Sequence, residues 1–453
     1  MQMPSRSCMR GKQSTSLIMA GVLMLIVILS STPGYAIPAF ARKFGLSCSA
    51  CHEAWPKLNS FGQNFKDNGY QLNNDRDSPI WSNPSYWPVA MRITPHWHYE
   101  SASRQRVDSG EGSSVERTIN TSGFDLTGID ILTAGTLAKN VSFLLVPSIQ
   151  SGDGTISFES ANIRIDNIKG SPWLNFKFGK YELDTPLTEK RIMTLSANGG
   201  FYQLWHYLPF GGQDINDFTV GSNQLGVEMM GHSLDDHTRY AASLVSSTNG
   251  RLGLPGGRSY DGYLHVSQGF MAGKLGLQRV GAYAVLGLRP TFSLTQDGVP
   301  IPGAGRGNRS FNRVGVYGNL YIGKFDLTGV FQHASDNVFL ANNTPANGPL
   351  PEGAQGPTWK IGTFEGHYTY SPKQFILGRY EVVRMSRQPV SGLPGDLGNV
   401  DVFTAGYRYY PFINSRAGFA WHLEFSTLHS VKTADSGADQ RSNSLFTGFD
   451  FAF

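Results

Sequence analysis

The chain has 453 residues, 40% of them hydrophobic, with a formal net charge of +4 and a mean hydropathy of -0.24. Removal of Arg6, Arg10 and Lys12 with an N-terminal leader leaves 35 basic against 34 acidic residues, and no basic patch is interleaved with aromatics, so nothing points to nucleic acid. There are only three cysteines, Cys8, Cys48 and Cys51, which excludes a four-thiolate zinc site.

Those three basic residues precede a 13-residue apolar run, residues 17–29, followed by Gly34-Tyr35-Ala36. The run is shorter than the ~18 residues expected of a spanning helix, and small residues stand at the cleavage positions. Residues 1–36 therefore read as a secretory signal peptide, with cleavage expected after Ala36.

Cys48-Ser49-Ala50-Cys51-His52 follows at once. Two cysteines around two small residues, then histidine, is the attachment signature of c-type haem, with thioethers from Cys48 and Cys51 and His52 as proximal iron ligand. A redox dithiol and half a zinc site are the competing readings. No second cysteine pair completes a zinc site, and a dithiol has no use for His52. Haem is attached outside the cytoplasm, so leader and motif support one another. The rest of segment 37–86 places Trp55, Leu58, Phe61 and Phe65 three to four apart, as on one helix face that packs on the porphyrin. About 50 residues bury too little surface to fold alone, so the remainder of the chain is expected to complete this segment. No methionine lies between His52 and Trp87, which excludes a self-contained His/Met cytochrome.

From Trp87 onward the texture becomes short alternating runs separated by Gly, Pro, Asn, Asp and Ser. In 87–99, Val89, Met91, Ile93, Pro95, Trp97 and Tyr99 share one face, and Ala90, Arg92, Thr94, His96 and His98 the other. In 416–427, Ala417, Phe419, Trp421, Leu423 and Phe425 oppose Gly418, Ala420, His422, Glu424 and Ser426. Period two with one apolar and one polar face means a sheet between dissimilar surroundings. About sixteen such runs occur, near 87–99, 122–137, 141–150, 156–167, 173–183, 224–233, 238–248, 259–270, 275–290, 311–322, 325–336, 359–370, 374–385, 400–411, 416–430 and 444–453. The links alternate: tight at 138–140, 169–172 and 234–236, long near 292–310, 339–358 and 386–399. An even number of strands of roughly ten residues with alternating short and long links predicts a porin-like, all-β outer-membrane barrel over 87–453, with the short helical haem segment plugging its lumen. Tight links are expected on the periplasmic side. The ending LFTGFDFAF, with Phe449, Phe451 and Phe453 on one face, is similar to the last strand by which such barrels are recognised for insertion.

Residues 36–52 (AIPAFARKFGLSCSACH), then Trp55-Pro56-Lys57-Leu58 and FGQNFKDNGY at 61–70, resemble the fused monohaem cytochrome–porins of iron-oxidising bacteria. The resemblance implies an outer-membrane protein with one covalent haem c, passing electrons between extracellular ferrous iron and a periplasmic c-type cytochrome or other carrier. On that expectation it is an Fe(II):cytochrome c oxidoreductase, an iron oxidase. Similar fusions occur in bacteria that export electrons, so an outward conduit to metal acceptors is the alternative. A haem enzyme or sensor with an open sixth iron position is the third. By strand phase the lumen-facing candidates for the sixth ligand are His96, His98, Met230, His232, His265, His367 and His422. His96 and His98 stand first because they lie on the first strand. Met193 and His206 belong to a link at 184–223 too long for an ordinary turn, which suggests folding into the lumen. Arg92, inward beside His96, is a candidate partner for a haem propionate.

Overall fold

The computed structural model describes residues 39–54, 57–72, 89–110, 113–149, 156–184, 204, 207, 216, 218–250, 260–290, 308–336, 356–387, 399–413, 418–431 and 440–452. The leader at 1–36, Trp55, Met193, His206, Ala417 and Phe453 lie outside the described residues.

Sixteen strands follow one another: β1 (Val89–Gly110), β2 (Ser113–Ala138), β3 (Val141–Ile149), β4 (Ile156–Ile165), β5 (Asn175–Tyr181), β6 (Gln224–His232), β7 (Thr238–Ser246) and β8 (Tyr260–Met271). The second half comprises β9 (Leu277–Pro290), β10 (Asn308–Ile322), β11 (Phe325–Ser335), β12 (Thr358–Ser371), β13 (Gln374–Arg387), β14 (Asn399–Ile413), β15 (Gly418–Val431) and β16 (Gln440–Ala452). Each is antiparallel to its neighbour in sequence, and β16 returns to pair with β1, from Ser442 opposite Ala102 to Ala452 opposite Arg92. The sheet is a closed barrel with no edge.

The alternation that forms these strands also sorts their side chains. Leu264 and Val266 are exposed while His265 between them is buried, and Leu423 and Phe425 are exposed around a fully buried Glu424. The apolar face points outward and the polar face inward, the reverse of a water-soluble protein. Such an exterior is stable only against hydrocarbon, where each unsatisfied backbone group costs several kcal/mol and closure removes them all. At one rim the strands join by tight turns, where Asn140 and Asp236 adopt left-handed φ of 58° and 56°.

The first two strands are longer than expected. β1 runs on to Gly110 and β2 begins at Ser113, whereas partners on β16 and β3 reach only Ala102 and Ile129. The paired residues beyond form a two-stranded ribbon standing past the wall. Water lies on both of its faces, so residues 100–121 carry no apolar alternation to betray them.

Closure itself rests on a glycine. Gly448 pairs with His422 on one side and His96 on the other, and a Cβ there would lie 2.4 Å from the His96 Cβ and 2.6 Å from the Pro95 carbonyl oxygen. Gly448→Val should cost about 1–3 kcal/mol by forcing β16 and β1 apart. Gly329→Ala, which meets nothing within 4 Å, should change stability by less than about 0.5 kcal/mol. The urea midpoint for loss of heat-modifiable gel mobility measures both, and equal midpoints would contradict the steric account.

Candidate functional site

The segment preceding the barrel folds as α1 (Ala39–Phe44), α2 (Cys48–Cys51), a short antiparallel pairing of His52–Ala54 with Lys57–Leu58, and α3 (Ser60–Asp67). The single helix face expected over 55–65 is therefore broken: residues 57–58 are extended, and helix begins only at Ser60. Asn59 is the cause. Its side-chain oxygen accepts the Gly62 amide as an N-cap at 2.9 Å, while its amide group donates to the carbonyl oxygens of Ala50 at 2.9 Å and Ser49 at 3.4 Å. The Asn59 backbone N–H takes the Cys51 carbonyl at 2.9 Å. One residue thus caps α3 and ties down the backbone of the cysteine turn. Gly62 completes the joint, since a Cβ there would fall 2.1 Å from the Cys51 carbonyl oxygen.

Cys48 and Cys51 stand three apart on one helical turn, the spacing that places residues on a common face. Cys51 is a free, half-buried thiol, and burial pushes its pKa up. Phe61 is 44% exposed on α3 beside this turn. Two cysteines on one turn, the next histidine and an uncovered aromatic are a donor set that fits a covalently held haem. The expected packing of Phe65 on the porphyrin is corrected, because Phe65 is buried with Phe40, Phe44 and Tyr70 against Ala134 and Leu144. Its ring lies 4.9 Å from that of Phe40 and 5.6 Å from that of Phe44.

Polar contacts hold the segment to inward-facing barrel residues near the tight-turn rim. The Arg164 guanidinium donates to the last carbonyls of α3, Lys66 at 2.6 Å and Asp67 at 2.9 Å, and pairs with Asp166 at 2.7 Å. Arg239 bridges Asp67 at 2.8 Å and Asp184 at 3.3 Å, and Lys66 reaches Glu182 at 3.2 Å. Tyr70 closes this side, its phenol pushed up to about 12 by burial. On β11 and β12, Lys57 pairs with Asp326 and donates to His367 Nδ1 at 3.3 Å, and His367 Nε2 lies 2.7 Å from Glu365. Arg379 links Glu365 to Glu381, whose carboxylate accepts the Leu204 amide at 3.0 Å.

That last contact brings in the long link between β5 and β6. Leu204, Tyr207, Asn216 and Phe218 are buried against the inner faces of β10–β13. The Tyr207 ring lies 5.6 Å from Trp359, Phe218 5.6 Å from Phe311, and Asn216 bonds Asp336 at 3.0 Å. Around them the inner wall is apolar and buried, with Trp359, Val383 and Val400 at 0% exposure. A water-filled channel would leave such side chains wet.

The sixth-ligand candidates are mostly engaged. His98 Nε2 lies 2.9 Å from the Ser444 hydroxyl and its ring stacks 3.8 Å from Phe446. His265 meets the Tyr317 hydroxyl at 2.9 Å, His422 meets Glu424 at 3.0 Å, and His367 is held on both nitrogens as above. His96 directs Nδ1 at the Thr94 carbonyl, 3.3 Å away, and His232 directs Nδ1 at the Ser233 carbonyl, 2.9 Å away. Met230 is buried in the apolar cluster. Arg92 is already paired, with Asp450 at 3.1 Å and Asp130 at 3.7 Å, and so is no ready propionate partner. Asn59 was missed, although an Asn directly ahead of Ser60-Phe61-Gly62 is an N-cap signal. Arg164, Arg239 and Asp326 carried no local signal.

No family model matches the sequence, and no curated protein matches it. Solved structures similar to it are outer-membrane channels. An anion-selective porin from Comamonas acidovorans shares 11% identity over 81% of this chain and 98% of its own, with a TM-score of 0.47. The outer membrane channel DcaP of Acinetobacter baumannii shares 11% over 80% and 97%, with a TM-score of 0.46. OprB of Pseudomonas putida shares 10% over 80% and 94%, with a TM-score of 0.46. The closed sheet with its apolar exterior and polar interior decides the location. The chain is a porin-like barrel of the bacterial outer membrane. Its tight turns accordingly face the periplasm and its long links the exterior.

The docking contacts are testable. Arg239→Met would leave Asp67 and Asp184 buried without their common cation, at a cost of about 3–5 kcal/mol. Trypsin cleavage at Lys57 and Lys66 in detergent-purified protein should accelerate by at least about tenfold over wild type, one decade per ~1.4 kcal/mol. Unchanged cleavage would mean that the ion pairs do not hold the segment.

Proposed function

We propose that this protein is an outer-membrane electron-transfer cytochrome of the fused cytochrome–porin kind, carrying electrons between extracellular ferrous iron and a periplasmic carrier through one haem c. The observation that carries this reading is the Cys48–His52 turn, clamped by Asn59 and Gly62 and tied through Lys57, Asp67 and Lys66 to the periplasmic half of a barrel whose inner wall is buried.

Cys48 and Cys51 would hold the group and His52 its iron, and haem so bound supplies a one-electron iron couple whose potential follows its ligands, hydrogen bonding and burial. The chain's own residues do the rest. Asn59 fixes the backbone carbonyls of Ser49, Ala50 and Cys51, which holds the backbone of the cysteine turn in place. Phe61 offers an uncovered ring beside them. Lys57 is the basic group nearest in sequence to His52, and Asp326 neutralises it, which keeps an unpaired cation away from the iron.

Trp359, Val383 and Val400 are buried apolar side chains on the inner wall, which favours an interior that excludes water over an open diffusion path. The bilayer's hydrocarbon is ~30 Å thick, and a dry interior there separates the two aqueous phases while electrons pass. Ferrous iron becomes insoluble once oxidised at neutral pH, so a cell gains by removing its electron outside.

Wild-type protein should retain haem through a denaturing gel stained for peroxidase activity, and Cys48→Ala/Cys51→Ala should lose it; retention by the double variant refutes the proposal. In anaerobic titration, ferrous iron should reduce a low-spin haem. Reduction by dithionite but not by iron would favour the outward conduit or the haem enzyme instead. In planar bilayers the wild-type barrel should show no steady ion conductance, whereas porin-like conductance would contradict a filled lumen.

A further inference from the structure

The periplasmic rim carries a repeated charge. Among the described residues, five tight turns present an exposed lysine: Lys139 between β2 and β3, Lys169 between β4 and β5, Lys274 between β8 and β9, Lys324 between β10 and β11, and Lys373 between β12 and β13. The carboxylates at the same rim are mostly spent. Asp166 is buried against Arg164, Asp236 faces Arg239 and Arg279, and Asp326 takes Lys57. Asp235 in the β6–β7 turn is the exposed exception, kept ionised by the Ser233 hydroxyl and the His237 amide, and facing the His237 ring at 3.2 Å.

The mature chain is nearly neutral, so this positive arc is local and not a share of a general excess. Two of the lysines lie along the rim, Lys324 donating to the Tyr370 carbonyl at 3.1 Å and Lys373 to the Pro411 carbonyl at 3.2 Å, each on the next hairpin. Neighbouring turns are two strands apart, about 10 Å at ordinary sheet spacing. That exceeds the Debye length of ~8 Å at physiological salt, so the charges sum into one field at lower ionic strength and are progressively screened as salt rises. The arc also borders the docked segment, whose partners Arg164, Asp326 and His367 lie within a few residues of lysine-bearing turns.

We propose that this lysine arc is the docking surface for an acidic, soluble periplasmic electron-transfer protein. The inference rests on the function proposed above and adds the partner's charge and the face it uses. An arc of like charges along the rim attracts an oppositely charged partner to that side of the mouth. It would steer encounter by ten- to a thousandfold at low salt without requiring a large apolar contact.

The test is binding to nanodisc-held protein with two soluble probes, an acidic plastocyanin and a basic mitochondrial cytochrome c, on wild type, on Cys48→Ala/Cys51→Ala, and on a variant with all five lysines changed to Glu. A second set changed to Gln guards against misfolding by charge reversal. The acidic probe should bind wild type and the cysteine variant alike, weaken by at least about tenfold with Gln or Glu at the five positions, and weaken with added salt. The basic probe should show the reverse preference. Equal binding of the acidic probe to wild type and both lysine sets overturns the proposal. So does a loss confined to binding of anionic phospholipid vesicles, which would assign the lysines to lipid headgroups. If wild type carries no covalent haem, the function proposed above fails while the binding comparison still decides the surface. If haem is present and the acidic probe does not bind, only the surface fails.

Discussion

A strand in hydrocarbon cannot leave an edge, and the pairing of β16 with β1 removes the last one. The rest of the molecule is arranged around that closure. It fixes an even number of antiparallel strands with both ends of the sheet at one rim, the rim with tight turns. Because β1 starts there, the segment before it enters the barrel from the periplasmic side, where Arg164, Arg239 and Asp326 receive it. Gly448, at the seam, shows how little room closure leaves: the inner wall has space there for the His96 side chain or for a Cβ, but not both.

Closure creates an interior, and filling that interior creates an electrostatic problem. Arg379, Arg408, Glu381 and Glu424 are almost wholly buried on the inner wall, where an unpaired charge costs far more than it does in water. The pairs resolve this locally, with Arg408 on Asp450 at 2.6 Å and Arg379 on Glu381 at 3.1 Å. Such pairs add little net stability over apolar packing, but each fixes what its partner can touch. The charged periplasmic half can therefore define where Lys57, Lys66 and Asp67 sit. The extracellular half adds apolar packing around Trp359, Val383 and Val400 to a buried pair of its own, Arg313 on Asp336 at 3.0 Å.

The barrel was legible because its alternation is strict wherever one face meets lipid and the other a polar interior. Sixteen runs in the sequence became sixteen strands, and the inward phase of His96, His265, His422 and Met230 followed from period two alone. The ribbon beyond Ala102 was not legible, since two wet faces impose no alternation. Within the segment before the barrel the Cys-Ser-Ala-Cys-His motif could be read, but its surroundings could not. Phe61 and Phe65 share a helical period, yet one is exposed and the other buried, a difference made by the distant Ala134 and Leu144. Arg92 looked free to meet a propionate because Asp450 lies 358 residues away in the chain.

The segment's dependence on the barrel follows from its size. Its aromatic cluster of Phe40, Phe44, Phe65 and Tyr70 is too small to fold on its own, and the barrel supplies the missing side through Ala134 and Leu144. The same short segment carries the only Cys-Cys-His motif in the chain. A cofactor attached to it would therefore take its position from the barrel wall, through ion pairs that hold only while their charges stay desolvated. Opening the lumen to water would screen Arg239 from Asp67 and loosen the segment. A wide diffusion channel and a firmly held N-terminal segment are thus competing designs for the same barrel, and the buried inner wall belongs to the second.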